Sequence, residues 1–392
     1  MTAMTVRPRR RLLRSRRAQR FAIQAAFLAA FALLLLFLVA RARTLDLGFG
    51  FLESPAGFAL SNEWLVTHNP NASRLDAYVV GLWNTVRLVL VGIAAATLLG
   101  IVAGVARLSS NWLVSRLATL YVESVRNTPL LVQIVFWWLA VFLAMPAIAA
   151  RRNVFDLVFL SNRGLALPWV AGESLAPLWF AVLPLACVAG WYIRRTRIRT
   201  EDLTGRPTYP NAAALLAVLA IAAIAFVAMG LPLRPTVPEI VSSGAAILRY
   251  ESGIVVTPQF ASVLIALVVY TGSFIAEIVR ASIQALPRGQ SEAAMALGLN
   301  GYQRLTLVIL PQALRTMIPP LTNQYLNLTK NSSLAIVVGY SELLFVGNVI
   351  INNAGHAVPM FLLVIATYQL MSFVISGGMN FLNRRLQLAG RS

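Results

Sequence analysis

The sequence is poor in cysteine, histidine and lysine, the side chains that form disulfides, bind zinc or complete a nucleotide-binding P-loop. Its 392 residues include one cysteine, Cys187, and two histidines, His68 and His356. These counts exclude a disulfide framework and leave no His/Cys cluster for zinc or an iron–sulfur centre. Lysine is equally scarce: Lys330 is the only one, and Asn331 follows it. A nucleotide-binding P-loop ends in Lys-Ser or Lys-Thr, so we expect none on this chain.

Charged residues are few, and acidic ones are the fewest. The chain is 12% charged and 58% hydrophobic, with 14 acidic against 33 basic residues and a mean hydropathy of +0.72. Such a composition gives too little polar surface for a water-soluble globule of this size. The arginines lie in loops between apolar runs and do not cluster on one polar domain. The net charge of +19 therefore does not indicate nucleic-acid binding, and the composition predicts a membrane protein.

Eight apolar runs are long enough to cross a membrane, since a hydrocarbon core of about 30 Å requires roughly 20 helical residues. Pro177 and Pro184 weaken the fourth, because lipid cannot replace the hydrogen bond that a proline removes. We predict an all-α polytopic membrane protein with about eight transmembrane helices. The runs are Phe21–Ala40, Tyr78–Ala106, Pro129–Ala149, Ala176–Ile193, Asn211–Leu231, Pro258–Arg280, Thr316–Tyr340 and Pro359–Phe381.

Basic residues are distributed unevenly between the two sides of these runs. With the amino terminus inside, the cytoplasmic segments hold 23 Lys and Arg residues and the outer loops hold 8. Because positive loops are retained in the cytoplasm, we predict that both termini are cytoplasmic and that residues 1–20 form a basic arm. Alternatively, the first run, followed by Ala42 of an A-x-A sequence, is a cleaved secretory signal. Its length of 20 residues favours a retained span.

The segment Ser291–Gln312 reads SEAAMALGLNGYQRLTLVILPQ and lies between the sixth and seventh runs, on the predicted cytoplasmic side. Its first residues, from Glu292 on, are good helix formers, whereas Gly298 and the Asn300-Gly301 pair interrupt them. We predict a short helix, a bend and a second helix that continues to Pro311. From the residues alone, an ordinary surface helix hairpin is an equal alternative.

These residues resemble the EAA loop of bacterial ABC-importer permeases. Val308 departs from the pattern conservatively, because the family commonly has isoleucine there. Residues 81–104, 121–138, 270–290 and 328–345 further resemble the polar amino-acid branch (His/Glu/Gln/Arg/opine) of those permeases, and the enlarged layout resembles the general L-amino-acid type. The residues that carry the loop resemblance are Glu292, Ala293, Ala294, Gly298, Leu310 and Pro311.

The resemblance implies a type I ABC-importer permease core at residues 78–388, with an ATPase-coupling loop at 284–315. Residues 151–257 insert two extra spans, and residues 21–77 add a further amino-terminal span and outer loop. The implied chain is a bacterial inner-membrane permease subunit that moves polar L-amino acids from periplasm to cytoplasm and has no catalytic residues. Implied partners are a second, different permease subunit, a periplasmic solute-binding protein, and two cytoplasmic ATPases that use ATP and Mg. We expect no metal or cofactor on this chain.

Polar side chains inside the predicted spans are candidates for a substrate pathway, because lipid makes them costly unless they face protein or water. Asn323, Asn327, Lys330 and Asn331 share one face of the seventh run. The ammonium group of Lys330 would attract a substrate carboxylate, and the asparagine amides would bind either end of a zwitterion. The alternative is a structural hydrogen-bond network between helices.

Two other charged residues lie in predicted spans. Glu277 is either a receptor for an amino group or a local helix partner of Arg280. Arg87 either faces the pathway or pairs with an acid on another helix. An ion-coupled secondary transporter is a rival function, but it should show coupling carboxylates in the membrane, and Glu277 alone is a weak case. An intramembrane enzyme would need metal motifs, a nucleophile with a base, or paired carboxylates, and the spans provide none.

Overall fold

The computed structural model describes residues 16–42, 48–60, 68–155, 157–172, 175–243 and 247–388. Most of the predicted basic arm, residues 1–15, lies outside the described residues. The described part of the chain is mostly helical, as the apolar runs predict. Its α-helices are α1 (Arg16–Ala42), α2 (Arg74–Ala106), α3 (Trp112–Arg126), α4 (Leu130–Phe136), α5 (Ala176–Thr204), α6 (Pro210–Ala228), α7 (Pro258–Gln284), α8 (Arg288–Ala296), α9 (Gly301–Gln303), α10 (Leu310–Asn331), α11 (Leu343–Ala354) and α12 (Ala357–Leu388).

Each of the eight predicted spans overlaps a helix of the described chain. The helices α2, α5, α6, α7 and α12 are individually long and apolar enough to cross a membrane. Two further apolar units are bent helix pairs, one containing α3 and α4 and the other containing α10 and α11. The first predicted span falls within α1. The fourth forms α5 in spite of Pro184, which lies inside that helix.

The core is built on the close crossing of α2 and α7. A Cβ atom placed on Gly100 would lie 2.5 Å from Cβ of Ile275, and one on Gly104 would lie 2.7 Å from the carbonyl oxygen of Ala276. The GxxxG spacing of these two glycines lets the helix backbones approach, as it does at many interfaces between membrane helices. Buried side chains of α4 and α10 complete the same cluster. The chain therefore has a compact helical core, on which α10 is firmly packed.

The third predicted span, Pro129–Ala149, begins where α4 begins, but it is too long at its carboxyl end. Helix α4 continues as a π-helical segment only to Phe142. Before it, α3 belongs to the same apolar unit, and the pair is bent by 102°. Arg126, which the charge count assigned to a cytoplasmic loop, lies at the end of α3 with its guanidinium 4.9 Å from the ring centre of Phe274. Without Arg126 and Arg116, which also lies in α3, the inner count falls from 23 to 21, so the predicted orientation is unchanged.

The bend has a local cause at Asn127–Pro129. A proline disfavours helical conformation in the residue before it, so the helix stops there. The side-chain nitrogen of Gln133 then donates to the carbonyl oxygens of Val125 and Thr128, at 3.1 and 3.0 Å. These bonds satisfy carbonyl groups that the break removes from the helix ladder. Gln133 is itself buried, so it stabilises the bend from inside the chain.

The insertion at residues 151–257 contains a helical hairpin and short strands, and the strands were not predicted. Helices α5 and α6 pack on one another through Trp179, whose indole N–H donates to the carbonyl oxygen of Ala222 at 3.0 Å. A four-stranded antiparallel sheet has the order β1-β2-β3-β8. Two antiparallel two-stranded sheets, β4-β5 and β6-β7, accompany it. The strands are β1 (Arg152–Val154), β2 (Val158–Ser161), β3 (Gly164–Leu167), β4 (Trp169–Gly172), β5 (Leu233–Thr236), β6 (Glu239–Ser243), β7 (Ile247–Glu251) and β8 (Ile254–Val256).

Candidate functional site

The loop between α7 and α10 has the predicted shape of a short helix, a bend and a second helix. Helix α8 is followed by a left-handed residue, Gly298, with φ of 76°. The backbone N–H of Leu299 donates back to the carbonyl oxygen of Ala294 at 3.1 Å, which closes the helix end. Asn300 then caps α9 reciprocally with Gln303. The bend is therefore fixed by backbone conformation and capping, as the Gly and Asn-Gly signals predict.

A π-helical segment, Arg304–Ile309, connects α9 to α10, so the second half of the loop is continuous with a long helix. Pro311 occupies the first turn of α10, where its missing N–H costs no hydrogen bond. The side-chain nitrogen of Gln312 donates to Oε1 of Gln290 at 3.1 Å and to the carbonyl oxygen of Val308 at 3.0 Å. This pair of bonds ties α8 to the start of α10.

The surface of this loop is apolar where it faces away from the chain. Ala294 is buried, whereas Glu292, Ala293, Gly298 and Pro311 are exposed. Large apolar side chains are exposed beside them: Leu297 is 80% exposed and Tyr302 is 76% exposed, and Met295, Leu307 and Leu310 are also exposed. Contiguous exposed apolar surface marks a contact site for another protein or for a membrane.

The polar residues of α10 also face out of the chain. Asn323, Asn327 and Lys330 are exposed, and Asn331 is half-buried. On the other side of the helix, Leu328 is fully buried. The side chains of the four polar residues have no hydrogen bond or ion pair with any residue that the structure describes. The alternative of a hydrogen-bond network between helices is therefore not realised within the described part of this chain.

Glu277 lies at the end of the α2–α7 crossing, between two arginines. Arg280, three residues along α7, donates to both of its carboxylate oxygens. Arg107, just beyond the end of α2, forms a second ion pair with it. The local pair with Arg280 is present, as the simpler interpretation predicts, and the long-range pair with Arg107 was not foreseen. Two cations thus neutralise this carboxylate and tie the ends of α2 and α7 together.

Arg87 is buried and contacts the break that precedes α11. One guanidinium nitrogen donates to Oη of Tyr340 at 2.9 Å, and the guanidinium lies 4.9 Å from the ring centre of Phe260. The hydroxyl of Tyr340 in turn donates to the carbonyl oxygen of Asn84 at 3.2 Å. The Asn84 side chain donates to the carbonyl oxygen of Ser341 at 2.8 Å. Arg87 therefore joins α2 to the break. Because it is buried inside the chain, it is not part of the polar face of α10.

Glu342, which was not predicted, is the centre of this break. Its carboxylate accepts hydrogen bonds from the backbone N–H groups of Leu344 and Phe345, at 2.9 and 2.7 Å, and so caps α11. The hydroxyl of Tyr368 on α12 donates to it at 2.7 Å. Glu342 is 0% exposed. An acid between the apolar runs 334–338 and 343–346 is the sequence signal that would have identified it, because lipid and protein interiors tolerate a carboxylate only with partners.

Comparison with known proteins gives a result consistent with this geometry. The family model described as "Binding-protein-dependent transport system inner membrane component" matches residues 213–388, from α6 to the end of α12. The chain is 40% identical over 353 residues to the general L-amino acid transport system permease protein AapQ of Rhizobium johnstonii, covering 90% of this chain and 86% of the relative. The chain belongs to the family of ABC-transporter permeases.

Two further relatives extend the similarity over nearly the whole permease. The putative amino-acid ABC transporter permease protein YhdX of Escherichia coli is 39% identical over 355 residues, covering 89% of this chain and 88% of the relative. The glutamate/glutamine/aspartate/asparagine transport system permease protein BztB of Rhodobacter capsulatus is 35% identical, and the alignment covers 90% of this chain and 88% of the relative. Only about a tenth of the permease is unmatched, so most of the insertion at residues 151–257 is aligned with these relatives.

Proposed function

We propose that this permease carries polar L-amino acids from the periplasm to the cytoplasm as one of two different permease subunits of an ATP-driven importer. Two cytoplasmic ATPases would use ATP and Mg, and a periplasmic solute-binding protein would deliver the substrate. The names of the relatives AapQ, YhdX and BztB support amino acids as the substrate class. The chain would lie in the bacterial inner membrane with both termini in the cytoplasm, as its arginine distribution indicates.

The observation that carries this proposal is the continuity of α10. Its first turn holds Leu310 and Pro311 of the coupling loop, and its last three turns hold Asn323, Asn327 and Lys330. At 1.5 Å per residue, the helix joins these two regions over about 30 Å. A movement imposed on the loop by an ATPase would therefore be transmitted to the polar face along this one helix, which continues through Pro319 and Pro320. Alternating access in transporters requires a rigid link of this kind.

The outward-facing surfaces on either end of α10 match the two partners that the proposal requires. The loop presents Leu297 and Tyr302 to an ATPase, since both are largely exposed and apolar. The polar face of α10 would meet the second permease and enclose a pathway between the two chains. Without such a partner, an exposed Lys330 would face lipid at a cost of about 2.5–3.5 kcal/mol on insertion scales. In the pathway, its ammonium would attract the carboxylate that every amino acid carries.

The ion-coupled secondary transporter has no support from this structure or from its relatives. The carboxylate on which that alternative rested, Glu277, is held by Arg107 and Arg280. The other carboxylate deep in the chain, Glu342, is occupied by two backbone N–H groups and Tyr368. Neither group is available to bind a coupling ion in this arrangement.

Uptake by cells with and without the gene tests the proposed function directly. Cells are given a panel of labelled amino acids with acidic, amide, basic and apolar side chains, and initial uptake rates are measured. We expect deletion to reduce uptake of the polar members and complementation to restore it. A matched strain with an ATPase-dead partner should lose the same uptake. Uptake that persists without the ATPase, or that is unchanged by the deletion, contradicts the proposal.

A further inference from the structure

We infer that a cavity beside the coupling loop binds the phosphate headgroup of an anionic phospholipid. The cavity has a volume of about 820 Å³ and lies where α2 and α7 end and α8 and α9 begin. Its size falls in the range of about 300–1,000 Å³ that is usual for sites that bind small molecules.

The charge of the cavity selects an anion. Arg288 and Arg304 both line it, and none of its lining residues is acidic. Neither guanidinium has a hydrogen bond or an ion pair with any residue in the described part of the chain. Arg304 is half-buried, so it is drawn away from water without a counter-charge. Arg288 is exposed at the same cavity. A phosphate bound there would supply the missing counter-charge and oxygens for bidentate hydrogen bonds to the guanidinium groups.

The apolar side chains that line the rest of the cavity favour an amphipathic anion over a soluble one. Val105, Leu108, Ile283, Leu286 and Leu305 supply much of the lining beside the two arginines. A free inorganic phosphate would leave these apolar side chains in contact with water. A phospholipid would place its glycerol and the first part of its acyl chains against them and its phosphate against the arginines.

The position of the cavity matches the level of lipid headgroups. Its lining includes Val105 and Ala106 at the end of α2, and Ile283 and Gln284 at the end of α7, where both apolar helices stop. Next to it, α3 begins with Trp112, which is 71% exposed. Tryptophan is enriched at the membrane–water interface. Basic clefts between helices at the cytoplasmic face are a known form of anionic-lipid site.

Lipid binding is measured on the complete transporter, purified with its partner subunits. The complex is exchanged into nanodiscs of phosphatidylcholine with or without phosphatidylglycerol, and retained lipid is counted by native mass spectrometry and titrated with a labelled phosphatidylglycerol. Arg304→Gln should lower the affinity for phosphatidylglycerol about fivefold, the effect of one cation near an anionic surface. Arg304→Lys, which keeps the charge, should restore most of it. Arg199→Gln, an exposed arginine of α5 on the same side, should have no effect.

The arms of the experiment separate the possible occupants. Retention of phosphatidylglycerol that is unchanged by Arg288→Gln and Arg304→Gln together overturns the inference. Binding of phosphatidylcholine with the same affinity as phosphatidylglycerol overturns it as well. Displacement of the lipid by inorganic phosphate also overturns it, because the cavity would then be a site for a free anion. The inference rests on the proposed function only for its consequence, which is that phosphatidylglycerol raises the coupling of ATP hydrolysis to uptake. Because lipid binding is measured without transport, failure of one is distinguishable from failure of the other.

Discussion

Replacing Gly298 by alanine should uncouple the permease from its ATPase, because the bend of the coupling loop depends on a backbone conformation that alanine resists. Gly298 has φ of 76°, and a Cβ atom built on it has no neighbour within 4 Å. The effect is therefore conformational and involves no clash within the described part of this chain. A non-glycine residue in the left-handed region costs about 1–2 kcal/mol. Such a cost reduces the ratio of bent to unbent loop by about 5–30-fold.

The loop itself offers a matched control. Gly301 is also exposed, a Cβ atom built on it would have no neighbour within 4 Å, and its φ is not positive. It begins α9, where alanine is well tolerated, so Gly301→Ala should have a much smaller effect. Gly298→Asn should recover part of the function, since asparagine adopts the left-handed conformation more readily than other side chains.

The assay compares ATP hydrolysis and amino-acid uptake for the assembled transporter in proteoliposomes at equal permease content. We expect Gly298→Ala to lower uptake per ATP hydrolysed by up to about 5–30-fold, the factor by which the ratio of bent to unbent loop falls. Co-purification of the ATPase shows whether docking or transmission has failed. Wild-type coupling in Gly298→Ala would refute the reasoning. Equal loss in Gly301→Ala would show that bulk on the loop surface matters and that backbone conformation does not.

Three further predictions concern the pathway, the buried break and the orientation. Lys330→Met keeps the length of the side chain and removes its charge; we expect intact assembly and basal ATP hydrolysis with reduced uptake and an altered amino-acid preference, measured on the labelled panel. Tyr368→Phe leaves the buried carboxylate of Glu342 without one donor, so it should lower the free energy of unfolding by about 1–3 kcal/mol, measured as a lower midpoint of thermal unfolding. With Cys187 replaced by alanine, Thr204→Cys should resist an impermeant thiol reagent in intact cells, whereas Arg163→Cys should react.

Each of these predictions has an outcome that contradicts it. Wild-type uptake of every amino acid by Lys330→Met removes the residue from the pathway, and loss of assembly assigns it to subunit contact. Tyr302→Phe, an exposed tyrosine of the coupling loop, should leave thermal stability unchanged, and an equal loss there would mean that the Tyr368 effect is not due to the buried carboxylate. Labelling of Thr204→Cys from outside, with protection of Arg163→Cys, would invert the proposed orientation.

The helical framework could be predicted from the sequence because its causes are local. Apolar runs of about 20 residues form helices in a membrane whatever their neighbours are, since each backbone group must be satisfied within its own segment. The same holds for the coupling loop, where helix formers, a glycine at the left-handed position and an Asn-Gly pair act within a few residues. Even the polar face of α10 follows from spacing alone, because Asn323 and Asn327 are one helical turn apart.

The breaks in the helices, and the residues that hold them, could not be predicted in this way. Pro129 marks a break, but Gln133 makes the break tolerable by satisfying carbonyl groups before it. The strands of the insertion were missed because each has only three to five residues, and four of them take part in pairs between distant parts of the chain, β3 with β8 and β4 with β5. For β3 that partner is β8, which lies beyond both α5 and α6.

The sequence by itself determined which segments form long apolar helices and where the coupling loop bends, because helix formation and turn geometry depend on neighbouring residues. Only the tertiary structure decided that Arg87 contacts Tyr340, 253 positions away, and that Tyr368 donates to Glu342. It also decided that Arg288 and Arg304 share one cavity and that the polar face of α10 points out of the chain. These arrangements depend on how helices pack against one another. That packing is fixed where helices approach closely at glycines and where buried polar groups pair. The residues involved are far apart in the sequence, so no local pattern connects them.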